Sequence, residues 1–144
     1  MTVALADAAP SASAVPRRLL EALQAGAGGR VDGAELGSID DAPDTSALES
    51  ARADAVVAAW TGARLHAGRP GALRCTDPDL ALLVGDWCFA HALQALAQTA
   101  DLEAIGLLAA AIGDCAVALT EAPGADGVPA SIWASTVARL AVPA

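Results

Sequence analysis

Lysine and tyrosine are missing from this chain, phenylalanine occurs once, and aromatic residues make up only 3% of 144 positions. Each lack excludes something. With no Lys, all eight basic residues are Arg, set against 17 Asp and Glu, and the formal net charge is −9. An acidic chain without a basic stripe is a poor binder of nucleic acid or of anionic membrane surfaces. The shortage of aromatic residues weakens any β reading. Cysteine is scarce and odd in number: Cys75, Cys88 and Cys115. That pattern fits reduced, buried thiols in a cytoplasmic protein. The opening stretch "MTVALADAAPSASAV" has no basic n-region and carries Asp7, so it is not read as a secretory signal.

What is present is aliphatic. Hydrophobic residues reach 55%, chiefly Ala, Leu and Val. Ala and Leu favour helix, and the length fits one domain with its own core. The expected fold is all-α, a bundle of four to five helices over 16–144, behind a disordered N-terminus at 1–15.

Along the chain, Pro16 opens a short helix closed by "GAGGR". Residues 26–45 show no period and read as a long loop with room for one helical turn. Ser46 and Glu49 have capping-box spacing, which predicts a helix from Ser46 to about Leu65, ending at Gly68 with Pro70 beyond. Thr76 or Asp77 can cap a helix over about 78–98. A break at "TAD" leads to a helix over about 101–121, and a last helix covers about 129–141. The 78–98 segment is apolar nearly all round, which predicts a central position. Leu80–Ala97 and Ala104–Leu119 are interrupted by Asp86, His91 and Asp114 and read as buried core helices rather than membrane spans.

Several residues carry possible chemistry. Asp40-Asp41-Ala42-Pro43-Asp44 matches DDxxD, the signature that holds Mg²⁺ and a diphosphate when its carboxylates share a helical face. Pro43 disfavours helix there, so Asp40, Asp41 and Asp44 read as an acidic loop before a helix N-terminus. Cys88 and His91 share a helical face at i, i+3, but no further metal ligand is fixed near them. Asp86 and Asp114 interrupt apolar helices and require partners, for which Arg64, Arg69 and Arg74 are nearest in sequence. Arg64, His66, Arg69 and Arg74 form the one basic cluster, fit for a diphosphate or for carboxylate pairing.

The stretch 68–119 resembles the trans-polyprenyl diphosphate synthases. Gly68-Arg69-Pro70 matches that family's Gly-x-Pro loop, and Gly85-Asp86 with Leu82, Phe89 and Ala92 looks like the apolar helix that follows it. "SIWASTVARLAV" at 131–142 could match a later family helix. The resemblance implies the front part of the isoprenoid synthase fold. It also marks Gly68, Pro70, Gly85 and Asp86 as motif or interface residues, and Arg30, after Gly28-Gly29, as a remnant of the diphosphate loop, which joins Arg64 and Arg69 of the basic cluster as a diphosphate-binding candidate.

The departures decide what the resemblance implies for activity. Where the family carries its first aspartate-rich motif, this chain reads "VVAAWT" at 56–61, with apolar or small residues in place of the aspartates. The expected Lys-Thr pair has no Lys, and the second aspartate-rich motif would fall beyond Ala144. Without those carboxylates, Mg²⁺ has no place from which to stabilise a leaving diphosphate. The expectation is therefore a non-catalytic partner subunit or regulator of a polyprenyl diphosphate synthase, cytoplasmic, with no catalytic residues and no cofactor. It would pair with itself or with a full-length synthase. The alternatives are a Mg²⁺-dependent enzyme that binds isoprenoid diphosphates, a small-ligand carrier, and a structural interaction module.

Overall fold

A computed structural model describes residues 14–122 and 129–142. Five helices and one small two-stranded sheet follow in the order α1 (Ala14–Gly26), β1 (Ala34–Leu36), α2 (Ser50–His66), β2 (Leu73–Cys75), α3 (Pro78–Gln98), α4 (Leu102–Glu121) and α5 (Ala130–Leu140). The all-α bundle expected from composition is what forms. Ala14 and Val15 already belong to α1, and the rest of the segment expected to be disordered lies outside the described residues. Most of the 121–129 loop lies outside them too.

Three helix ends follow their local chemistry. The Asp77 carboxylate accepts from the Asp79 amide at 2.9 Å, and Pro78 follows the cap. Asp101 caps α4 by accepting from the Ala104 amide at 3.2 Å. At the end of α2, Gly68 adopts φ +73°. Its amide reaches the Leu65 carbonyl at 3.1 Å, and the next amide, from Arg69, reaches Arg64 at 2.8 Å. This is the paired bonding of a Schellman cap, which needs a left-handed residue where Gly68 stands.

Three expectations are corrected. First, α2 begins at Ser50, not Ser46. The Asp44 carboxylate takes the Ser46 amide at 2.9 Å, and the Leu48 amide bonds to the Thr45 carbonyl at 2.9 Å. The first bond takes the Ser46 amide that a capping box would give to the Glu49 side chain. Second, residues 26–45 and the 68–75 segment are not plain loops. Each supplies a three-residue strand, paired antiparallel with Glu35 opposite Arg74 and Leu36 opposite Leu73. Non-local pairing of such short segments leaves no local signature.

Third, the central helix is α2. An unbroken run from Ala55 to Ala63 is buried, and α2 packs against α3, α4, α5 and β2. Its small side chains admit neighbours on every side. Gly62 faces Gly85 of α3 so closely that a Cβ on Gly62 would lie 2.8 Å from the Gly85 carbonyl oxygen. By contrast α3 and α4 bury one side only. Only 33% of the most apolar stretch of α3 and 22% of that of α4 is buried, so neither is the core helix that hydropathy predicts. Leu82, Leu83, Leu102 and Val117 lie exposed on them.

One clamp ties the ends of three helices. Arg52 at the start of α2 donates from Nε and Nη2 to the two Asp101 carboxylate oxygens, at 2.7 and 2.9 Å. Its Nη1 donates to the Leu140 carbonyl at the end of α5, also at 2.7 Å. The planar guanidinium suits a bidentate contact of this kind.

Candidate functional site

Where the segment after β1 turns back towards α2, it closes one side of a cavity of about 480 Å³. Trp60 of α2 and Trp133 of α5 line it, with Pro43, Val137 and several alanines. Both tryptophans are otherwise buried. Asp41 and Asp44 complete the lining and are exposed. The segment is fixed by its own bonds: Ser38 N–H to the Gly71 carbonyl at 2.9 Å, Asp40 N–H to the Ser38 hydroxyl at 3.1 Å, and Ala42 N–H to the Ile39 carbonyl at 3.0 Å. Ile39, Ala42 and Leu48 pack on the core, while Asp40, Asp41 and Asp44 remain at the surface. The Ser46 amide, and after it the Ser46 side chain, hold the Asp44 carboxyl below its ordinary value.

The DDAPD segment is thus a loop, as Pro43 predicts, and its carboxylates do not share a helical face. Among the described residues, no three His, Cys, Asp or Glu side chains gather closely enough to hold a metal ion. Cys88 is buried, and burial pushes its thiol up to about 12. His91, its neighbour on α3, stacks on Trp87 at 4.6 Å, and burial lowers its ionisation.

The basic residues separate. Arg30 lines a different, open groove between α1 and the sheet, together with Arg74. There Arg74 pairs with Glu35 at 2.7 Å, and Arg30 lies 3.5 Å from Asp32. The Arg64 guanidinium lies over Trp60, 5.6 Å from the ring centroid, and its Nε donates to the Pro70 carbonyl at 2.9 Å. Arg69 follows the α2 cap and bonds back to Arg64 through its amide. Arg64 and Arg69 are therefore neighbours, while Arg30 lines a groove that neither of them lines.

Asp86 finds a partner that the sequence reading did not name. Its carboxylate meets His66 Nε2 at 2.9 Å, and His66 Nδ1 lies 2.8 Å from the Gly62 carbonyl. Phe89 stacks on the imidazole at 5.0 Å. Both ring nitrogens are engaged, so neither is left to activate a nucleophile. Asp114 lines a small cleft between α4 and α5 that Arg139 also lines.

Trp60, Trp133 and Arg52 are residues that sequence reasoning did not place at any site. The two tryptophans stood out only by rarity, being two of three in the chain. Thr61, one of the small residues of "VVAAWT", has a structural task of its own. It is fully buried, donates to the Val57 carbonyl at 2.8 Å and accepts from the Ala72 amide at 3.1 Å, which fastens the 69–72 loop to α2.

Compared with known proteins, the chain matches no family model, no curated protein and no solved structure. Fold and site together define a small all-α bundle with a cavity of mostly apolar lining and exposed apolar side chains on α3 and α4.

Proposed function

We propose that this chain is a non-catalytic helical partner subunit that docks the outer side of α3 and α4 on another helical protein. The observation that carries the reading is the mismatch between composition and burial in those two helices. Leu83 is 67% exposed and Val117 54% exposed, on helices whose apolar character would otherwise place them inside. A contiguous exposed apolar patch marks an interaction site, and the proposed docking face joins these side chains into one.

α4 adds a second feature. A Cβ on Gly106 or on Gly113 would meet nothing within 4 Å. Glycine inside a helix costs about 1 kcal/mol relative to alanine, and packing within the chain gives no reason for either. Small residues on an outer helix face let a second helix approach closely.

By length and composition α3 and α4 could each cross a membrane. A protein partner is favoured by Asp86 and Asp114, which lie exposed midway along these helices. Carboxylates are costly to place in lipid, whereas a protein face can offer them partners.

The resemblance at 68–119 points to a full-length polyprenyl diphosphate synthase as the partner, and so to isoprenoid biosynthesis. Non-catalytic behaviour is supported by the loop position of Asp40, Asp41 and Asp44 and by the engaged His66 ring. The test is reconstitution with the synthase of the same source. A stable complex with altered product chain length is expected, and no product from this chain alone. No complex and unchanged products would overturn the reading. Flotation of the chain with lipid vesicles would replace it with a membrane reading.

A further inference from the structure

Beyond that docking role, we infer that the cavity between the DDAPD loop, α2 and α5 is a binding site for a small apolar molecule carrying one positive charge. At about 480 Å³ its size is that of an ordinary small-molecule site. Its walls are the Val137 side chain, alanine methyl groups and the small accessible parts of Trp60 and Trp133, which suit an apolar body. Its charge is of one sign. Asp41 and Asp44 line it, and among the described residues no basic side chain does.

The two carboxylates attract a cation by Coulombic interaction. Arg64 already covers the Trp60 ring from outside the cavity, so charge selection inside it rests on the two carboxylates. The same charge pattern disfavours anions. An isoprenoid diphosphate would enter here only with metal ions to offset two carboxylates, and those carboxylates belong to no metal-holding cluster. The DDAPD stretch is thus assigned a role opposite to the one its pattern invites: it selects a cation directly.

The experiment uses benzyltrimethylammonium, its neutral carbon isostere neopentylbenzene, and benzyl phosphate. Binding is read by saturation-transfer NMR on the unmodified chain. It is also read by the fluorescence of Trp60 and Trp133 in a Trp87→Phe background. The ammonium is expected to bind saturably, about tenfold tighter than the isostere, and the phosphate not to bind. Asp41→Asn with Asp44→Asn should remove that preference while leaving the isostere unchanged, because a carboxamide in place of the Asp44 carboxylate keeps an oxygen for the Ser46 amide. Ala138→Leu, at an exposed position lining the cavity, should abolish binding of both with the helical circular dichroism intact. The inference is overturned if no probe binds, if the isostere or the phosphate binds as well as the ammonium, or if the doubly substituted variant keeps the preference.

Discussion

The same substitution, glycine to alanine, should move stability in opposite directions at two helical sites of this protein. At Gly62 a new Cβ would stand 2.7 Å from the Phe89 ring and 2.8 Å from the Gly85 carbonyl oxygen. The ring can rotate, but the carbonyl belongs to the α3 backbone, so relief requires the two helices to part. Overpacking of this kind costs roughly 1–3 kcal/mol, and a backbone obstacle puts Gly62 near the upper end. Alanine returns about 1 kcal/mol of helix propensity. The net loss is about 1–2 kcal/mol, or roughly 3–8 °C in Tm for a chain of this length. At Gly113 the new methyl meets nothing within 4 Å. Only the propensity gain remains, so Tm should rise by about 3–4 °C. Thermal melts followed by circular dichroism measure both. If Gly62→Ala raises Tm as Gly113→Ala does, the close α2–α3 crossing is wrong, and with it the central position of α2.

Three further outcomes follow from the side-chain geometry. Arg52→Ala removes the fork to Asp101 and the bond to the Leu140 carbonyl. With both charged side chains about four-fifths buried, at 18% and 21% exposure, the loss should be about 2–3 kcal/mol in urea unfolding. The Arg52 hydrogen bond, chiefly, holds the Asp101 carboxyl below its ordinary value. Asp101 therefore contributes stability above pH about 4, which is lost as pH falls through the lower folded value. Asp101→Asn should flatten the acid limb of the stability profile, and an unchanged limb would refute the pairing. Burial pushes the Cys88 and Cys115 thiols up to about 12. The unfolded chain sheds these protons first, so their contribution is full below pH about 9 and falls as pH rises towards 12. In native iodoacetamide labelling read by mass spectrometry, half-buried Cys75 should react first, and Cys88 and Cys115 only after unfolding.

What was legible in the sequence was local. Asp77-Pro78, Asp101 and Gly68 each define a helix end through bonds to residues within four positions, and each behaves as its type predicts. The Ser46–Glu49 box was legible too, but a competing local bond from Asp44 defeats it. What could not be read is set by distance along the chain. Glu35 meets Arg74, and Arg52 meets Asp101 and Leu140, only after the bundle has closed. Hydropathy ranked α3 and α4 as the inner helices, whereas the small residues of α2 are the ones that other helices surround.

The site divides in the same way. Pro43 was enough to place DDAPD in a loop, but nothing near it announces Trp60 or Trp133, which arrive from α2 and α5. The motif that carries the family resemblance also has explanations inside this fold. Gly68 closes α2, and the Pro70 carbonyl receives Arg64. Gly85 lets α3 cross Gly62, and Asp86 holds His66.

Tagged co-purification from the source organism tests the docking claim most directly, with the wild-type chain run beside a Leu83→Asp, Gly113→Leu variant. Both positions are clear of the core, so the variant should fold. The account predicts a full-length polyprenyl diphosphate synthase in near-equal amount with the wild type, and its loss from the variant. Wild type that returns alone, or a synthase retained equally by both, would contradict it.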